Sequence, residues 1–292
     1  MVLNKISIAI IGGDLRFVRL CEILADKNFD VWVYALNHKD IPANVNVAQS
    51  LEEVSGCNYI IGPVPFTRDN KTLFTPLSEE PVFIDEFVKS MTDAYLCLSA
   101  LKDEVIILLE RNNLKYIDLM EMNEIAIENA VPTAEGAIQY AMENSEITLN
   151  DSQVIVLGFG RCGKILAQKL KGLGANVAVE ARKTTDLAYI KAYDYEPIPL
   201  RELQQNLHRF DFIFNTIPIH ILDESCINAC KKDTIYIELA SAPGGIDLEC
   251  CKNSNIKYVN APSLPGKVAP KTAAKILYQG LEIIMKNQGE LL

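Results

Sequence analysis

Residues 154–163 read VIVLGFGRCG, and the chain continues through KILAQKLKGLG to a second apolar run at 177–179. Four branched apolar residues make a buried strand, and the glycines at 158, 160 and 163 then follow with Gly-x-Gly-x-x-Gly spacing. Gly158 permits a tight turn, Gly160 lets backbone approach a pyrophosphate, and Gly163 lets the next helix pack closely on the strand. Ile165, Leu166, Leu170 and Leu173 give that helix one apolar face, and Gly174 ends it. Its unpaired first-turn amides attract phosphate oxygens. Phe159, Arg161 and Cys162 belong to the same turn. The stretch predicts the opening strand–helix–strand unit of a dinucleotide-binding, Rossmann-like domain.

The same alternation of short β-rich runs and amphipathic helices extends in both directions, the pattern of parallel sheets covered by helices. Strands are predicted at 153–157, 177–179, 212–215, 236–238 and 257–259, and before them at 7–11, 31–34, 59–61, 95–98 and 115–118. The fold class is α/β, with two Rossmann-like doubly wound parallel-sheet domains and a cleft between them. The first domain is expected to span 1–130 and the dinucleotide domain 146–270. Pro132-Thr133 reads as a helix start, with Thr133 as N-cap and Glu135 in the first turn, so 131–145 forms a connecting helix. A last helix at 271–288 aligns Ala273, Ile276, Leu277, Leu281 and Ile284, and is expected to pack back on the first domain.

A length of 292 residues suits two domains at roughly 100–200 residues each. Lys plus Arg is 28 against 38 for Asp plus Glu, a net charge of −10, which excludes broad attraction to nucleic acid or an anionic membrane. An anionic small ligand must therefore be held by a few placed cations. The eight cysteines (Cys21, Cys57, Cys97, Cys162, Cys226, Cys230, Cys250 and Cys251) form no CxxC pair, and three histidines do not complete a zinc site, so no metal is expected. The N-terminus runs straight into a strand, and no apolar run approaches the roughly 20 residues of a membrane span. A soluble, reduced, cytoplasmic protein is expected.

The choice of dinucleotide depends on the end of the second strand, where an acid usually takes the ribose hydroxyls. Position 181 is Ala, and Arg182-Lys183-Thr184-Thr185 follow, a cluster suited to a 2′-phosphate. NADP is favoured on that basis. The competing reading keeps NAD, with Glu180, one residue early, turned to the ribose. Asn215-Thr216-Ile217-Pro218 and the loop LASAPGG at 239–245, including Ala240 and Ser241, follow the next two strands and are expected to line the ligand crevice. Lys267 and Lys271 lie close to the start of the last helix, where cations oppose the helix dipole and an anionic ligand accounts for them better. In the first domain, Gly12-Gly13-Asp14-Leu15-Arg16 lacks a third glycine, yet it is expected to bring two amides and Arg16 to the mouth of the cleft. Glu110-Arg111 reads either as catalytic or as a helix-end ion pair.

GGDxR at 12–16, VPTAEG at 131–136, VIVLGFGRCG at 154–163, NTIP at 215–218, PGG at 243–245 and LPGKVAPKTA at 264–273 occur in one order over nearly the whole chain. In that order the sequence resembles the dipicolinate synthase A-subunit family. It departs from the family at Cys97-Leu98-Ser99-Ala100, where a glycine is expected after the serine. The resemblance implies an NAD(P)-dependent oxidoreductase of the diaminopimelate pathway, found in the mother cell of a sporulating bacterium. Working with the flavoprotein-like B-subunit of dipicolinate synthase in a hetero-oligomer, it would dehydrate and oxidise a dihydrodipicolinate-type precursor to dipicolinate. A dicarboxylate needs cationic clamps, for which Arg16 and Lys271 come first and Lys267 and Arg111 next, with Gly12, Gly13, Asp14 and Thr133 beside them. Glu135, Glu110, His220 and Lys271 are the candidates for moving protons. Two other readings stand beside this one: a self-sufficient 2-hydroxy or 2-keto acid oxidoreductase, and a non-catalytic nucleotide-sensing module.

Overall fold

The structure, a computed structural model, describes residues 5–251, 254 and 256–290; the side chain of Cys250 lies outside what it describes. Two units divide the chain, Met1–Asn129 with Pro265–Leu292, and Ala130–Leu264.

In the first unit the order is β1 (Ser7–Ile11), α1 (Leu15–Asp26), β2 (Asp30–Tyr34), β3 (Asn46–Val47), α2 (Leu51–Val54), β4 (Tyr59–Ile61), α3 (Ile84–Ser90), β5 (Tyr95–Leu98), α4 (Asp103–Arg111) and β6 (Tyr116–Asp118). All neighbours pair in parallel, in the order β3-β2-β1-β4-β5-β6. Successive residues of β1 point to opposite faces, and both faces are buried. Ile8 and Ile10 meet Phe17, Leu20 and Leu24 of α1, whereas Ala9 and Ile11 join Val54, Phe87 and Leu109 on the other side. Each large apolar side chain among these contributes roughly 1.5–3 kcal/mol by leaving water.

The second unit begins within α5 (Asn123–Glu143), and runs β7 (Gln153–Leu157), α6 (Arg161–Gly172), β8 (Asn176–Ala181), α7 (Thr184–Ala192), β9 (Glu196–Pro199), α8 (Leu203–Asn206), β10 (Phe212–Asn215), α9 (Glu224–Ala229), β11 (Ile235–Glu238), α10 (Leu248–Cys251) and β12 (Lys257–Asn260). Its sheet is also parallel, ordered β12-β11-β10-β7-β8-β9. Strand order reverses between β7 and β10, which places the ligand crevice of a doubly wound sheet at their carboxyl ends. After α11 (Leu264–Val268), the final helix α12 (Pro270–Asn287) lays Ala274, Leu277, Leu281 and Ile284 into the cluster that holds α1.

Three expectations need correction. Both sheets have an edge strand beyond those expected from the sequence: β3 is two residues long, and β9 carries Pro197 and Pro199, which only an edge strand accommodates readily. The helix expected at 131–145 begins at Asn123, so Pro132 and Thr133 lie inside α5 rather than at its start. Buried Ile125, Ala130, Ala134, Ala137 and Ala141 repeat at helical spacing on both sides of Pro132, and that burial outweighs a cost of about 3 kcal/mol for an internal proline. Among the described residues no helix is long and apolar enough to cross a membrane.

Candidate functional site

The carboxyl end of β7 turns sharply at Gly158, whose φ of 95° is a backbone conformation that favours glycine. A Cβ there would stand 2.7 Å from Thr216 Oγ1, and one on Gly163 would stand 2.1 Å from Gly158 O. Nothing lies within 4 Å of the Cβ position of Gly160, which is the N-cap of α6. The three glycines thus divide their work: two let backbone meet backbone or side chain, and the third leaves an open approach to the amides of α6. Thr216 locks the turn by donating from its hydroxyl and its amide to Leu157 O, at 2.8 and 3.1 Å. Phe159 is buried, with Tyr193 at 6.3 Å between ring centroids and Lys164 Nζ over its ring, while Arg161 is exposed. Burial pushes the Cys162 thiol above its ordinary range, so it is not a poised thiolate.

Glu180 sits opposite Leu157 in the β7–β8 ladder and is 1% exposed, with neither carboxylate oxygen hydrogen-bonded. Burial, the dominant cause, raises its pKa despite opposing contributions from the Gly158 amide and Arg182. Arg182, Lys183 and Thr184 are exposed at the junction of β8 and α7. An open glycine turn, a helix N-terminus, a partnerless buried carboxyl and an exposed basic cluster fit a dinucleotide.

At the ends of β10 and β11 the two loops expected to line the crevice are joined by a network centred on Glu238, a residue the sequence does not single out. Asn215, fully buried, donates from Nδ2 to Ile217 O at 2.9 Å and to Glu238 Oε1 at 2.7 Å, and accepts from the Ile217 amide. Glu238, 3% exposed, also accepts from Ala240 N, Gly245 N and Tyr236 OH. The loop 239–245 is thereby wrapped on one carboxylate, and Gly244 and Gly245 come too near Glu238 and Asn215 to carry side chains. Burial and the neighbouring Glu238 carboxylate push the Tyr236 phenol far above its usual range. Pro218, Ser241 and His220 are exposed or nearly so, and Ala240 is half-buried.

The first-unit candidates fare differently. The amides of Gly12 and Gly13 are already used, donating to Tyr34 O at 2.9 Å and Phe74 O at 3.0 Å, and both residues are buried. Arg16, 2% exposed, makes a fork with Asp14 through Nε and Nη2, each at 2.8 Å, and Nη2 also donates to Val64 O. Asp14 in turn caps α1, and a Cβ on Gly266 would lie 2.2 Å from its Oδ2, so this carboxylate lies close against the backbone of α11. The amides of Gly12 and Gly13 and the Nε and Nη2 groups of Arg16 thus have structural partners within the fold. Glu110 and Arg111 lie in the last turn of α4, which runs back against the strands and so ends at the amino edge of its sheet, far from the β1 turn. Glu135 is ion-paired with Lys169 at 2.8 Å in the interior of α5 rather than in a first turn, and Thr133 shares that interior. Lys271 is exposed in the first turn of α12, and Lys267 is exposed on α11.

The family model for the N-terminal domain of the dipicolinate synthase A-subunit matches residues 7–120, and that for the NAD-binding domain of D-isomer-specific 2-hydroxyacid dehydrogenases matches 123–244. The dipicolinate synthase A-subunit of Bacillus subtilis is 33% identical over 283 residues, 94% of each chain. The crystal structure of the dipicolinate synthase A chain from Bacillus subtilis superposes with a TM-score of 0.85 at 32% identity, covering 99% of this chain and 98% of that one. That of the A-subunit from Bacillus halodurans gives 0.86 at 30%, covering 98% and 99%. A match of this extent in both sequence and solved structures, over a fold that carries the dinucleotide turn, places the chain in the dipicolinate synthase A-subunit family.

Proposed function

We propose that this chain is the dinucleotide-dependent subunit of a dipicolinate synthase, acting with a flavoprotein-like B-subunit during sporulation. The observation that carries the reading is the Gly158–Gly163 contact beside an open Gly160, within a chain of this family. The substrate would be a hydroxylated tetrahydropyridine dicarboxylate; loss of water, then of a hydride and a proton, leaves an aromatic ring, and aromaticity makes the oxidation downhill. An oxidised nicotinamide dinucleotide, when bound, supplies the hydride acceptor. Gly158, Gly160, Gly163 and the first-turn amides of α6 would hold its pyrophosphate. Lys271, an exposed cation in the first turn of α12 that opposes the helix dipole, offers charge to the carboxylates; Lys267, exposed in the last turn of α11, complements its helix dipole instead, so the dipole argument expected for it does not hold. Of the proton acceptors considered, Glu135 is held by Lys169 and Glu110 lies at the amino edge of its sheet, whereas His220 stands in the loop that follows the carboxyl end of β10. His220 is therefore assigned the proton.

For the adenosine half, Arg182, Lys183 and Thr184 support NADP. A second reading, NAD, is favoured by the partnerless Glu180 carboxyl, which a ribose 2′-hydroxyl would satisfy.

The test is direct. The chain and its B-subunit, given fresh product of the preceding synthase and NADP, should generate the absorbance of reduced nicotinamide; none with either dinucleotide sinks the reading. Turnover of simple keto acids without a partner would instead make it a self-sufficient oxidoreductase. Arg182→Ala should weaken NADP far more than NAD, and equal loss for both would move the assignment to Glu180.

A further inference from the structure

Glu238 is an anion without a cation. Its two oxygens receive Asn215 Nδ2 at 2.7 Å, Ala240 N at 3.0 Å, Gly245 N at 2.8 Å and Tyr236 OH at 3.2 Å. Two backbone amides and a carboxamide NH2 can only donate, and they meet both oxygens, an arrangement suited to a carboxylate. Among the described residues no lysine, arginine or histidine forms an ion pair with it. Neutral donors solvate a buried charge but do not cancel it, and its field reaches far in a poorly polarisable interior.

The position of this charge is specific. Asn215 and Glu238 are register partners at the last residues of β10 and β11, on the carboxyl edge of the half-sheet β10–β11–β12. The glycine turn belongs to the other half, β7–β8–β9. In a doubly wound sheet the two halves each take one mononucleotide, so the half that carries Glu238 takes the nicotinamide end. That ring is the part of the cofactor whose charge changes in the reaction, positive when oxidised and neutral when reduced.

We propose that Glu238 selects the oxidised form of the dinucleotide over the reduced form by supplying a fixed negative charge to the nicotinamide half of the site; this rests on the dinucleotide reading above. A carboxylate offers acceptors to all of these donors, and its charge, unlike the hydrogen bonds themselves, distinguishes the two redox forms. The same bias favours release of the reduced product.

Dissociation constants for oxidised and reduced dinucleotide, measured by calorimetry on the wild-type chain and on Glu238→Gln, test this. The variant should lose at least fivefold of the wild-type preference for the oxidised form, with most of the loss on that form. Equal weakening of both forms, or no change in either, overturns the proposal. Tyr236→Phe keeps the charge and removes one of its donors, so the preference should rise. If Glu238→Gln does not fold, as judged by circular dichroism, an unchanged or lowered preference in Tyr236→Phe overturns the proposal by itself. A wild-type chain that binds neither form would bring down the cofactor reading, a separate result from an unaltered preference in a chain that binds both.

Discussion

The Cα of Gly163 packs so closely on the carbonyl of Gly158 that a methyl group there would lie 2.1 Å from the oxygen. The start of α6 and the end of β7 therefore meet as bare backbone. Gly163→Ala must push them apart, and should cost about 1–3 kcal/mol in urea denaturation and at least tenfold in dinucleotide affinity. Gly172→Ala, with nothing within 4 Å of its Cβ position near the end of the same helix, is the control. It should be neutral or stabilising by up to about 1 kcal/mol.

Arg16 and Asp14 form a buried fork that also anchors Val64 O. Removal of one partner of such a pair leaves the other charge stranded, so Arg16→Met should destabilise the chain by roughly 3–5 kcal/mol. Arg16→Lys should recover little, because an ammonium cannot reproduce the planar fork. If Arg16 instead served mainly as a substrate clamp, both variants would raise KM and leave the urea midpoint unchanged.

Glu180 gives stability a definite pH dependence. Burial raises its folded-state pKa above the unfolded value, so its contribution is most favourable below the unfolded pKa and is lost as pH rises through the folded one. Glu180→Gln should therefore gain about 1 kcal/mol relative to wild type at neutral pH, a gain that disappears below about pH 4. Urea melts across that range measure it. A gain independent of pH would mean that the carboxyl is not the source.

Ala100 occupies the position after Ser99 where the family resemblance implies glycine, and its φ is 54°. A side chain in that region costs roughly 1–2 kcal/mol, partly offset in the alanine form by a stiffer unfolded chain. The turn persists because Asp118 accepts from the amides of Ala100 and Leu101, at 2.9 and 2.7 Å. Ala100→Gly should raise the unfolding free energy by about 0.5–1 kcal/mol in urea denaturation.

Elements with a strong local signature are legible in the sequence. β1, β4, β5, β7 and β10 have the bounds their residues predict because both of their faces are apolar, and the glycine turn is legible because its spacing encodes a backbone geometry. β3 and β9 are not, since a two-residue strand and one with two prolines carry no periodic signal. The start of α5 differs from expectation for a related reason: Pro132 is a local helix-start signal, and burial on both sides of it overrides that signal.

The sequence alone determined the α/β class, the two sheets and the glycine turn, because these depend on residue periodicity and on backbone conformations that few residue types allow. Which charged groups remain available was decided only by the tertiary structure. Arg16 is taken by Asp14, Gly13 by Phe74, and Glu135 by Lys169, while Glu238 gathers donors from three segments and Glu180 is left with none. A hydrogen bond depends on atoms within about 3 Å, and partners such as Phe74, Lys169 and Asn215 lie tens of residues away along the chain.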